Sequence, residues 1–136
     1  MRAAIVCLVA LLAAGPARAQ EEAVDVKPAL AAAEAWLAAL DGGRYGESWD
    51  EATPALQQAI PREGWEKSMV AARAPLGGVV SRKLRSASFT RGGDSAGDYV
   101  VIEYETRFET RPLTVEVVTP VRARDGAWKI SNYIIR

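Results

Sequence analysis

One change of hydrophobic period constrains this chain more than any other feature. Up to Ala74 the apolar residues recur at helical spacing, and from Val79 onward they alternate. Pro75 and Gly77-Gly78 stand at the switch, where they stop a helix and make its exit. All helices therefore precede all strands. That order argues for an α+β domain whose antiparallel sheet is covered on one face, because each helical stripe must be buried against the apolar side of the sheet.

The helical half divides at its own punctuation. Pro28 lies near a helix start, and alanine dominates from Ala29 to Ala39. Leu30, Ala33, Leu37 and Leu40 form one face, widened by Trp36, and Asp41-Gly42-Gly43 ends the helix with a glycine suited to positive φ. Arg44 to Ala52 reads as a second, short helix with Tyr45 and Trp49 on one face. Thr53-Pro54 opens a further short turn through Ile60. Pro61 opens a third main helix, Arg62 to Ala74, with Trp65, Met69 and Ala72 expected inward.

In the second half, Val79 to Arg91 is a candidate strand. Tyr99 to Thr110 is the clearest one: Val100, Ile102, Tyr104, Thr106 and Phe108 alternate with Tyr99, Val101, Glu103, Glu105 and Arg107. Arg111-Pro112 breaks it, so Leu113 to Arg124 pairs back. Asp125-Gly126 is a turn signal, and Trp128 to Ile135 closes the chain. The expected architecture is about three N-terminal helices on one face of a curved four-stranded antiparallel sheet.

The N-terminus reads as an export signal. Met1-Arg2 gives a positive start, Ala3 to Ala14 an apolar run, and Ala17-Arg18-Ala19 a small-x-small cleavage pattern. The run falls short of the ~20 apolar residues that a membrane span needs. Residues 1–19 are expected to be removed, leaving 20–136 as one domain, periplasmic or secreted, with no membrane span. Cys7, the single cysteine, sits early in the run and not at the end of a lipobox. It would leave with the signal, so residues 20–136 carry neither disulfide nor thiolate.

Those absences remove chemistry. The chain has no histidine, so no Ser-His-Asp relay, imidazole base or His-ligated zinc can form. No metal or cofactor is expected. The formal net charge is zero and turns slightly acidic after processing, which gives no reason to expect nucleic acid. In the basic stretch Ser81-Arg82-Lys83-Leu84-Arg85, strand alternation sends Arg82 to one face and Lys83 and Arg85 to the other.

Several blocks carry a family resemblance. They are Ala35-Trp36-Leu37 with Asp41-Gly42-Gly43-Arg44-Tyr45-Gly46-Glu47-Ser48-Trp49; Trp65 with Arg73-Ala74-Pro75-Leu76-Gly77 and Arg82; Asp98 to Phe108; Glu116-Val117-Val118-Thr119-Pro120; Asp125-Gly126-Ala127-Trp128-Lys129-Ile130-Ser131; and Tyr133-Ile134. In order and spacing they resemble the bacterial exported family catalogued as domain of unknown function 4019. The resemblance implies a signal peptide followed by this single domain, and no established activity. The helices-then-sheet order is also similar to the cystatin-like cone of nuclear transport factor 2-like proteins, a fold that hosts isomerases, dehydratases, carriers and inert scaffolds.

The candidate pocket residues are Trp36, Tyr45, Trp49, Asp50, Trp65, Arg73 and Tyr104; no catalytic set is assigned. The tryptophans either fill the wedge between helices and sheet or line an apolar cavity, with Tyr45 and Tyr104 as polar tips. Arg73 either caps its helix, with a salt bridge to Asp50, or binds an anion inside the cone. Glu103, Glu105, Arg107, Glu116 and Arg122 read as a solvated outer face. The expected function is a non-catalytic module binding a small apolar ligand or an envelope protein. One alternative is a cone-fold isomerase or dehydratase using Asp50 with Tyr45 or Tyr104. Another is a homodimer or partner-docking module on the outer sheet face, where Tyr99, Val101, Val118 and Tyr133 supply apolar contacts.

Overall fold

A computed structural model describes residues 23–93 and 96–136. Residues 1–19, read as an export signal, lie outside the described residues. Helix α1 (Lys27–Asp41) starts with proline in its first turn and ends at Gly43, whose φ of 71° lets the Arg44 amide turn back onto the Ala39 carbonyl at 2.8 Å. Short helices α2 (Tyr45–Asp50) and α3 (Pro54–Ala59) follow. The Thr53 side chain caps α3 by accepting from the Leu56 amide at 3.3 Å. Helix α4 (Arg62–Arg73) runs into a 3₁₀ turn at Ala74–Leu76. The segment read as a short turn through Ile60 is thus a regular helix, and four helices stand where about three were expected.

Strands β1 (Val79–Thr90), β2 (Tyr99–Phe108), β3 (Thr114–Arg122) and β4 (Trp128–Ile135) form one antiparallel sheet in the order β1-β2-β3-β4. Register shifts interrupt β1 twice and the β3–β4 pair once, at Thr119/Pro120. Such irregularities bend strands and raise their twist, so the sheet curves around the helical layer. Helix α1 packs across β3 and β4, and α2 packs on both α1 and α4. The result is the expected α+β cone.

On β2 the buried face is Val100, Ile102, Tyr104, Thr106 and Phe108, as alternation predicts. On β3 and β4 the outer-face assignment fails. Val118 pairs with Ile102 and with Tyr133, and Glu116 pairs with Tyr104, so Val118, Tyr133 and Glu116 all belong to the inner face. Alternation fixes which residues share a face, but the register with β2 decides which face points inward.

The core joins α1 to the sheet through Ala29, Ala33, Trp36, Leu37 and Leu40 against Val100, Ile102, Val118 and Ile130. In α4 the inward row is Trp65, Met69 and Arg73; Ala72, expected inward, is exposed. Arg73 displaces it because its charge partners lie on that side.

Candidate functional site

Ser48 organises the tryptophans. It is fully buried, and its hydroxyl donates to the Tyr45 carbonyl at 2.6 Å. The same hydroxyl accepts the Trp65 indole N–H at 2.9 Å, while the Ser48 carbonyl accepts the Trp36 indole N–H at 2.8 Å. Helices α1, α2 and α4 are therefore pinned at one residue. A Cβ at Gly46 would lie 2.3 Å from the Arg62 guanidinium and the Glu66 carboxylate, flexible ends that would have to swing aside. The Trp36 ring lies 6.0 Å from Trp65 and meets Tyr133 edge-on at 5.3 Å, close packing with no ligand-sized gap between those rings. Trp49 is half-buried and donates to the Ile60 carbonyl at 2.8 Å.

A second polar cluster occupies the cone interior, and it holds two cations and two anions. Arg73, at the end of α4, reaches Asp41 at 2.5 Å and Glu116 at 3.4 Å. Arg82, on β1, grips Asp41 through two bonds of 2.7 and 3.0 Å and donates to Glu116 at 2.8 Å. Thr106 donates to Glu116 at 2.5 Å, and the Tyr133 hydroxyl donates to its other oxygen. Arg73 also lies 5.2 Å from the Phe108 ring centroid. These contacts tie α1, α4 and all four strands to one network. Glu116 is fully buried, so its assignment to a solvated face is overturned. Its two oxygens meet four donors, which is what burial of a carboxylate requires.

Arg73 does not bridge to Asp50. Asp50 stands exposed and pairs with Arg62 at 3.1 Å. It is therefore remote from any buried acid–base set, and the pairing of Asp50 with Tyr45 or Tyr104 is not assembled. Tyr45 is half-buried beside the core, and Tyr104 is buried on β2. The Tyr104 hydroxyl has no hydrogen-bond partner among the described residues, and burial pushes its pKa up to about 12. Of the seven candidate residues, Arg73 alone enters the charged network, while Trp36 and Trp65 meet at Ser48. Sequence reading missed Asp41, Arg82 and Glu116 as one unit. The available signal was weak: a charge on a strand whose neighbours are apolar.

Burial raises the Asp41 carboxyl, but hydrogen bonds from Arg82 and Arg73 more than offset that, leaving it below its ordinary value of 3.8. The folded state therefore holds the ionised form better than the unfolded chain does. This contribution is whole above the ordinary value and is lost as the pH falls through the folded one. Asp41→Asn is expected to be less stable than the parent near neutrality, with the gap closing below about pH 4. Urea midpoints across the acid range check this, and a gap independent of pH overturns it.

Among the described residues there is no group of three or more Asp, Glu, Cys or His able to hold a metal, and no helix long and apolar enough to cross a membrane. No curated protein matches the sequence. The fold is similar to that of ActVI-ORFA from Streptomyces coelicolor, at 13% identity and a TM-score of 0.52, covering 80% of this chain and 93% of that one. It is also similar to a structure from Catenulispora acidiphila, at 19% identity and a TM-score of 0.46, covering 79% and 90%. Likeness at these identities concerns the fold alone. A family model described as "Protein of unknown function (DUF4019)" matches residues 32–133, and the chain belongs to that family.

Proposed function

We propose that this chain is an exported, non-catalytic binding module of the bacterial envelope. The observation that supports this reading is the closure of the interior network. Both Glu116 oxygens are occupied by Arg73, Arg82, Thr106 and Tyr133, so no lone pair is left poised toward a substrate proton. The alternative, an isomerase- or dehydratase-like enzyme working with a carboxylate and a tyrosine, would have to release Glu116 from both arginines first. Export rests on the Met1-Arg2 start, the apolar run and the Ala17-Arg18-Ala19 pattern.

Expression of the whole chain with its leader tests both parts. The secreted product is expected to begin at Gln20. Native mass spectrometry of that product is expected to show a retained or titratable small molecule or protein. A product that stays in the cytoplasm overturns export, and a product that retains nothing overturns the binding role.

A second reading, self-association through the outer sheet face, is favoured by one exposed apolar residue. Ile134 stands 45% exposed there, beside its cross-strand partner Val117, which is itself buried. Sedimentation that stays monomeric at high concentration counts against it.

A further inference from the structure

Three of the four tryptophans have their indole N–H fixed by the protein: Trp36 and Trp65 at Ser48, Trp49 at Ile60. Trp128 is the exception. It is half-buried, and its N–H has no acceptor among the described residues. It stands at one end of a hollow of about 290 Å³ between α1, α2 and β4. Ala32, Ala35 and the edge of Trp36 form an apolar wall, and Glu47 and Glu51 stand on the α2 side.

The chain builds this hollow by a specific stitch. After α2, Ala52 bridges in parallel to Ile130, and the Thr53 amide donates to the Ile130 carbonyl at 2.9 Å. That fixes Glu51 beside the start of β4, level with Lys129 and one residue from Trp128. The two carboxylates differ. Glu47 is paired with Arg44 at 3.0 Å, whereas Glu51 is exposed and makes no ion pair among the described residues. Arg122, the cross-strand partner of Trp128, lines a different hollow that Trp128 also borders.

We infer that this hollow binds a small organic cation, an ammonium on an apolar stem. The inference rests on the binding-module reading and names its ligand chemistry. A tryptophan face is the best of the aromatic cation sites, and its attraction strengthens where water is partly excluded. Glu51 supplies the unpaired negative charge, and the alanine wall accepts the stem. The volume lies at the lower edge of the ~300–1,000 Å³ range of ligand pockets, which limits the occupant to a fragment-sized amine.

The test uses phenethylammonium chloride against its neutral isostere, 2-phenylethanol, with ¹⁵N-labelled residues 20–136. The four indole N–H resonances report each tryptophan separately, and Trp128→Phe identifies its own by the missing peak. Phenethylammonium is expected to shift the Trp128 resonance with a Kd on the order of 1 mM or tighter. The alcohol and the Glu51→Gln variant are each expected to weaken binding about tenfold, and high salt to weaken it further. Glu51 is exposed, so the variant should keep the parent spectrum, and the same spectra check that it does.

Equal binding of the alcohol overturns the cation. An unchanged Kd in Glu51→Gln overturns the carboxylate, and a silent Trp128 resonance overturns the site. A silent Trp128 in a protein that retains another ligand by native mass spectrometry defeats this inference and leaves the binding-module reading standing.

Discussion

Glu116→Ala is expected to destabilise the domain by about 3–5 kcal/mol, a large share of the ~5–15 kcal/mol that holds a small domain folded. The cost arises because the arginines remain. Arg73 and Arg82 have side chains only 5% and 16% exposed, and Asp41 alone would face both. Thr106 and Tyr133 would lose their acceptor at the same time. Urea unfolding should show a lower midpoint at an unchanged slope, the mark of lost stability and not of altered compactness. Arg73→Met is expected to be costly as well, since it leaves Glu116 short of a cation. The double variant Arg73→Met/Glu116→Leu should cost less than the sum of its parts, because removing both charges leaves neither stranded. A loss below about 1 kcal/mol for Glu116→Ala would mean the network contributes no more than a surface pair.

Trp36→Ala is the second large effect, expected at about 3–5 kcal/mol. Trp36 is 4% exposed, and its ring touches Trp65 and Tyr133. Its removal opens a cavity where α1 crosses β3 and β4, and strips the Ser48 carbonyl of its indole donor. The natural comparison is Trp128→Ala. That indole is half-exposed and its N–H meets no acceptor among the described residues, so its loss should cost far less. Denaturation of both variants side by side decides the matter: equal losses would mean that Trp36 is not the keystone of the wedge.

Glu116 and Trp36 differ in how far local sequence reveals their place in the fold. Helix limits were legible from Pro28, Gly43, Thr53-Pro54 and Pro75, because each acts on its own backbone torsions or hydrogen-bonding groups. The inner face of β2 was legible from strict alternation. Ala72 and Arg73 were not: helical spacing offers both positions to the core, and an arginine goes inward only if acids wait there. Glu116 fails for the same reason on a strand. Its neighbours Val115, Val117 and Val118 are apolar on both faces, so alternation on β3 has no phase until β2 supplies it. Ser48 gave no signal at all, since a buried serine between helices looks like any polar residue of an exposed turn.

The sequence alone determined the order of helices and strands, the strand limits within a residue or two, the inner face of β2 and the absence of imidazole chemistry. These follow from torsional preference, periodicity and composition, all of which act over a few neighbouring residues. Only the tertiary structure decided that Asp41, Arg73, Arg82 and Glu116 form one neutral network, and that Asp50 lies outside it. A buried charge is tolerated where a distant segment brings its counter-charge within bonding distance, and that meeting is set by helix docking and strand register. Only the tertiary structure, too, distinguished Trp128, whose N–H meets no acceptor among the described residues, from the three tryptophans whose N–H groups are held by Ser48 and Ile60.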